Sequence, residues 1–440
     1  MKLSVLLLAA LIGALALPVS GPAWAAEKKT KVPQPPDPLT ASVDRPSAVY
    51  QRGETIAFTI RLEQNGQPVT SGEIDWALTK DGLPPLRSGR SQVDQGKVVV
   101  TGSLDEPGFL QCRATYLVDG KKVTALAGAA VSPLEIKPSQ PPPADFRAFW
   151  DGKKKQLATV PVHARLTPVK SPVPKVEAFD LQADCVGAPV SGYFARPAAA
   201  KVRSLPAILT VHGAGVRSAS LSGAAGWARD GALALDLNAH GLPNGKDQSY
   251  YDALANGDLK NYRSAGRDSR DTVYFLGMFL RLVRAIDFLA GQPEWDGRTL
   301  VVFGSSQGGA QAIAAAGLDP RVSFLAAGVP AMCDHTGFLA GRVSGWPKFI
   351  ATAEKSPSPQ VVNAIRYYDA VNFAAQTKAP GFFTVGFIDT TCPPSSVFAA
   401  YNALRSRKEI FHDIAAGHTN TPAASAAMRA AVKRHFAAMK

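Results

Sequence analysis

Across residues 40–134 the apolar positions come in short runs, at 55–62, 73–78, 97–101, 109–117 and 122–127, broken by clusters of Gly, Pro, Asn and Asp. Turn signals at that spacing, with no helical period, predict an all-β sandwich of about seven strands. Residues 133–143 are rich in proline, which interrupts helices and central strands alike, so the chain there is expected to run extended between two domains. An amphipathic helix is expected from Asp145 to the basic run Lys153-Lys154-Lys155. From about residue 175 the pattern changes. Runs that are apolar without alternation, at 207–211, 232–237, 300–303, 324–327 and 382–387, suit strands buried on both faces. Helical periods lie between them; residues 268–290 place Val273, Leu276, Phe279, Val283 and Ile286 along one side. Strand and helix in alternation predict a doubly wound, mostly parallel α/β sheet.

The start of the chain follows a third pattern. Lys2 precedes an apolar run over 3–17, then Pro18, Gly21, Pro22 and the small-residue signature Ala23-Trp24-Ala25. This reads as a signal peptide, residues 1–25, followed by a flexible linker at 26–39 and implying a secreted or periplasmic protein. No later stretch is apolar for the length of a membrane helix, so an integral membrane protein is not expected. At 440 residues, 46% hydrophobic and 19% charged, the chain suits two or three folded domains and excludes a disordered or fibrous class. Its net charge of +13 is scattered rather than clustered, and with an export signal and no recognition motif it argues against a nucleic-acid partner. Cys112, Cys185, Cys333 and Cys392 form no C-x-x-C pair. Export permits disulfides, of which four cysteines allow three full pairings, and buried free thiols are equally compatible. No H-E-x-x-H or similar spacing occurs, so neither metal nor cofactor is expected.

The chemistry concentrates after the strand at 300–303, which runs into Gly304-Ser305-Ser306-Gln307-Gly308-Gly309 and a helical stretch at 310–316. G-x-S-x-G between strand and helix is the setting of a nucleophile elbow, where a tight turn projects the serine hydroxyl and flanking glycines remove clashing side chains. Serine needs a base to take its proton and a carboxylate to orient that base. Asp389, after the strand at 382–388, and His418, after the apolar stretch 410–416, follow Ser306 in the required order. His163, His412 and His435 fit less well, while Asp334 and His335 are candidates for the pocket wall. For an oxyanion hole, the Gln307 amide pairs with that of Ala214 in His212-Gly213-Ala214-Gly215, the loop after an earlier strand. Residues 337–372, with Trp346, are a candidate cover for the pocket.

Asp105-Glu106-Pro107-Gly108-Phe109-Leu110-Gln111-Cys112 resembles the strand F region of immunoglobulin-like domains, which gives 40–134 an immunoglobulin-like sandwich and leaves 135–143 as the linker. Further on, His212-Gly213, Gly304-Ser305-Ser306-Gln307-Gly308-Gly309, Leu318-Asp319-Pro320-Arg321-Val322, Gly386-Phe387-Ile388-Asp389 and Pro393-Pro394 resemble the acetyl xylan esterase and cephalosporin-C deacetylase family over about residues 144–437. The resemblance implies an α/β-hydrolase catalytic domain at 144–440 that deacetylates acetylated xylan or xylo-oligosaccharides. It gives Ser306 as nucleophile, His418 as base and then acid, and Asp389 as orienter, with Gln307 and Ala214 supplying the hole. Two positions depart from the family: Ala214 stands where an aromatic residue is usual, which implies a wider pocket, and Asn238-Ala239-His240-Gly241 replaces the usual R-G-Q-G. A hydrolase for bulkier esters or peptides and a non-catalytic glycan-binding protein are the alternatives. The oligomeric state is left open.

Overall fold

A computed structural model describes residues 38–439 except Asp119, Thr352, Ala353 and Lys355. The expected signal peptide and nearly all of the expected linker at 26–39 lie outside the described residues. The described residues form one compact unit.

The first quarter of that unit is β-structure in two sheets. One carries Leu39–Val43, Ile56–Gln64, Gln67–Pro68 and Lys97–Gly102; the other orders Val49–Tyr50, Lys121–Val131, Gly108–Val118, Glu73–Lys80 and Arg87–Gln92. Their inner faces share a core that includes Phe58, Ile60, Val100, Leu110 and Ala127. Alternation explains it: along Ile56–Gln64, Ile56, Phe58, Ile60 and Leu62 are buried, and every second residue is less so. Residues 39–43 and 87–92 form strands that the apolar pattern did not signal, because few of their side chains are buried.

The remaining chain builds a nine-stranded sheet among the described residues. Its strands are β1 (Arg165–Val169), β2 (Val176–Ala183), β3 (Val190–Pro197), β4 (Leu205–Val211), β5 (Leu233–Leu237), β6 (Trp295–Ser305), β7 (Phe324–Gly328), β8 (Gly381–Gly386) and β9 (Lys408–Asp413). They lie in the order β1-β2-β3-β5-β4-β6-β7-β8-β9, antiparallel as far as β3–β5 and parallel from β5 onward. This is the α/β arrangement of an α/β-hydrolase. Its central strands are apolar on both sides because helices cover both: Ala207 and Leu209 face one core and Ile208 the other.

Six helices matter for the site or its supports: α1 (Phe146–Ala158), α2 (Leu221–Arg229), α3 (Phe275–Ala290), α4 (Gln307–Leu318), α5 (Pro394–Ala403) and α6 (Pro422–Ala438). The helical period begins at 268, yet α3 starts only at Phe275. Residues 268–274 turn back instead, with the Thr272 hydroxyl donating to the Gly266 and Ser269 carbonyls. α2 and α6 start on side-chain caps, the Ser220 hydroxyl accepting from the Gly223 amide at 3.0 Å and Thr421 from Ala424 at 3.2 Å. The proline-rich stretch is fastened along its length. Ser139 bonds the Asp334 carboxylate, Arg342 donates to the Lys137 carbonyl at 2.8 Å, and Arg366 donates to that of Pro141 at 2.7 Å.

Candidate active site

β6 ends at Ser305, and the chain turns through Ser306 straight into α4. Ser306 sits at φ 58°, ψ −123°, a conformation that a non-glycine residue adopts only when its surroundings hold it there. The surroundings do so with backbone bonds on both sides: the Ser306 amide donates to the Gly328 carbonyl at 2.8 Å, and its carbonyl accepts from Ala331 at 2.9 Å. Gly308 is required by packing, since a Cβ there would overlap the Val211 carbonyl oxygen. The turn aims the Ser306 hydroxyl at His418, whose Nε2 lies 2.8 Å from Oγ. On the far side of the ring, His418 Nδ1 is 2.7 Å from Asp389 Oδ2.

Asp389 is 1% exposed, and its other oxygen accepts the amides of Thr391 and Cys392 at 2.8 and 2.9 Å. Those two amides fix the carboxylate plane, and the carboxylate in turn orients the ring. With the outer nitrogen facing a hydroxyl and the inner one facing a carboxylate, the imidazole is placed to take a proton from Ser306. Ser306, His418 and Asp389, widely separated in sequence, therefore stand in one hydrogen-bonded chain.

The loop 213–215 lies against the elbow: the position a Cβ on Gly213 would take is 3.5 Å from Ser306 Cβ. Two residues that carried no sequence signal hold this loop, and a third holds the loop of His418. Arg217 Nη2 donates to the Gly213 and Ala214 carbonyls at 2.9 and 3.3 Å. The Tyr262 hydroxyl accepts from the Gly215 amide at 3.3 Å and donates to Gln307 Oε1 at 2.9 Å, tying the loop to the residue after the nucleophile. Asn420, two residues beyond His418, donates to Ser305 Oγ at 2.7 Å and accepts from Thr384 Oγ1 at 2.5 Å, locking the His418 loop to elbow and β8.

His212 plays a supporting part through its neutral form. Its Nδ1 faces the Gly213 carbonyl at 2.7 Å and its Nε2 accepts the Ala239 amide at 3.1 Å. Burial, reinforced by nearby Arg217, lowers its pKa to about 4. Asn238 serves the same side of the site, donating to the Arg217 carbonyl and accepting from the His240 and Leu242 amides. Asp334 and His335, expected at the pocket wall, are buried instead: Asp334 binds Arg342 and His335 packs edge-on against Phe349. His435 bonds Ser323, and His163 pairs with Asp184. All four cysteines are free thiols. Asp389, Cys392 and His418 bring potential ligand atoms within 4.8 Å of one another. Burial, with Asp389 alongside, raises the Cys392 thiol well above its usual range.

The family model described as acetyl xylan esterase (AXE1) matches residues 133–433. The chain belongs to the acetyl xylan esterase family. This esterase is 32% identical over 374 residues to acetyl esterase Axe7A of Xylanibacter ruminicola, a match covering 82% of either chain. It is 27% identical to the solved acetyl xylan esterase from Paenibacillus sp. R4, with a TM-score of 0.60 over 69% of this chain and 98% of that one. Acetyl xylan esterase 1 from Thermoanaerobacterium sp. JW/SL YS485 shares the fold at 24% identity, with a TM-score of 0.59 over 68% and 97% of the two chains. The esterase is accordingly a serine carboxylic-ester hydrolase acting on carbohydrate esters. No helix among the described residues is long and apolar enough to cross a membrane.

Proposed function

We propose that this esterase removes O-acetyl groups from xylan or xylo-oligosaccharides by two acyl transfers through Ser306. Ser306 Oγ bonds to the acetyl carbon while His418 takes the hydroxyl proton. The tetrahedral intermediate collapses, the bond to the sugar oxygen breaks, and His418 returns the proton to that oxygen. Water, deprotonated by His418, then attacks the acetyl-serine; the bond to Ser306 Oγ breaks, that oxygen takes the proton back from His418, and acetate leaves. Asp389 holds the imidazole in the right tautomer and stabilises its charged form, and the Gln307 and Ala214 amides receive the developing oxyanion. The observation that carries this reading is the unbroken pair of contacts at 2.8 and 2.7 Å from Ser306 through His418 to Asp389.

We read the N-terminal β-unit, residues 40–134, as an immunoglobulin-like sandwich, and residues 1–25 as the leader that exports the enzyme. Acetate release from acetylated xylo-oligosaccharides by wild type and the Ser306→Ala variant tests the function. Rapid release that disappears in the variant is expected. If wild type releases no acetate yet cleaves longer-chain aryl esters through Ser306, the acetyl-sugar substrate is wrong and the small Ala214 has opened the pocket to bulkier acyl groups.

A further inference from the structure

The family match begins at residue 133, yet the β-unit before it reaches into the segment that carries Asp389. β8 ends at Gly386, and Phe387 and Ile388 lead to the carboxylate. On one side their amides donate to the Asp413 and Ala416 carbonyls, both at 3.2 Å, in the stretch leading to His418. On the other side the partner is the β-unit. Gln111, 2% exposed, donates from Nε2 to the Phe387 carbonyl at 3.0 Å, a buried bond between residues 276 apart in sequence. Gly128, on the neighbouring strand, backs so closely onto the same carbonyl oxygen that a Cβ would overlap it. Phe109 sets its ring edge-on to Phe387 at 5.1 Å and tilted against Phe398 of α5 at 5.6 Å. Asp81, also buried, faces Ser395 in the first turn of α5, just after the Asp389 loop.

A glycan-binding appendage or a spacer has no need to bury a polar side chain against the carbonyl two residues before a catalytic acid. We propose that the β-unit is a working part of the esterase, and that Gln111 is a positioning residue acting through the Phe387 carbonyl to hold Asp389 in line with His418. This rests on the reading of Ser306, His418 and Asp389 given above. The physical logic is one of tolerance: a reacting constellation loses rate steeply with displacement, about a hundredfold per ångström. The Asp389 segment is held only as firmly as the groups on both of its sides. Removing the amide leaves the buried carbonyl unpaired, and the segment relaxes toward another partner.

The test uses the full mature chain and aryl acetate hydrolysis, with Gln111→Met as a near-isosteric variant lacking the donor. It is measured alone and combined with Asp389→Asn, alongside melting temperatures. The expected result is kcat lower by about tenfold with KM within about twofold, and no further loss when Asp389→Asn is already present, because both act through one group. Leu117→Ala, at an exposed position of the same strand as Gln111, is expected to behave as wild type. Unchanged kcat in Gln111→Met, or an equal loss in both backgrounds, overturns the proposal. Should Gln111→Met melt below the assay temperature, Gln111→Leu, measured at a temperature where it stays folded, carries the same cycle with the same expected and overturning outcomes. Wild-type turnover by Asp389→Asn alone would instead sink the underlying reading of the acid, and the proposal with it.

Discussion

His335 is the sharpest place to test how burial controls this protein's acid stability. Its ring packs edge-on to Phe349 at 4.8 Å, and neither nitrogen makes a well-formed hydrogen bond. Desolvation lowers its pKa from 6.5 to about 3, with only a Tyr368 backbone contact pulling the other way. A group depressed in the folded state contributes stability that is present above the unfolded pKa and lost as pH falls. From pH 7 to 5 the unfolded chain binds a proton at this residue and the folded chain does not. About 1.5 of those two pH units lie below 6.5, and at 1.36 kcal/mol per unit the loss is about 2 kcal/mol. Asp81 and Asp236, both pushed up to about 6 by burial, oppose it over the same window, since there the folded state takes protons first. The wild-type pH profile therefore mixes contributions of both signs, and the informative quantity is a difference. His335→Phe keeps a ring against Phe349 and removes the titration. Urea unfolding followed by tryptophan fluorescence at pH 7 and pH 5 is expected to show the variant losing about 2 kcal/mol less than wild type. Equal losses in the two proteins would refute the reasoning.

Asn420→Ala removes the partner of both Ser305 Oγ and Thr384 Oγ1. Stability is expected to fall by about 2–4 kcal/mol from the two stranded hydroxyls, with kcat reduced about tenfold as the His418 loop loosens; thermal melts and initial rates check the two effects. Because all four cysteines are free, melting temperatures with and without excess reductant are expected to coincide. A drop of several degrees under reduction would reveal a disulfide worth about 2–5 kcal/mol.

How much of this was legible in the chain depended on whether the signal was local. Buried parallel strands are apolar on both faces, so β4 through β8 could be read from continuous runs such as Phe382, Phe383 and Val385. The turn at Ser306 depends on glycines within two or three residues, and the positions of Asp389 and His418 follow from where strands end. The supports are different. Tyr262 meets Gln307 across 45 residues, Asn420 meets Ser305 across 115 and Gln111 meets Phe387 across 276. A single polar residue whose partner lies that far away leaves no period and no neighbouring motif. Proline content at 133–143 announced a segment without long helix or strand, although Pro133–Glu135 form a 3-10 turn rather than running extended, and it gave no hint that Arg342 and Arg366 grip its carbonyls. His335 illustrates the reverse case: its place after the strand that follows the elbow suggested a pocket wall, while folding buried it against an aromatic ring.

The shared packing across residue 133 separates two notions of a part. Ala48, Phe109, Ala130 and Ile136 belong to the same apolar core as the central strands and α3. What is inherited as a recognisable family segment and what condenses as a folding unit thus have different edges. A gene fragment trimmed to the former would leave Phe387 and Phe398 facing water in place of the Phe109 ring. For such a chain, substitutions in the front segment are constrained by catalysis in the rear one, and the two must drift together rather than be exchanged as modules.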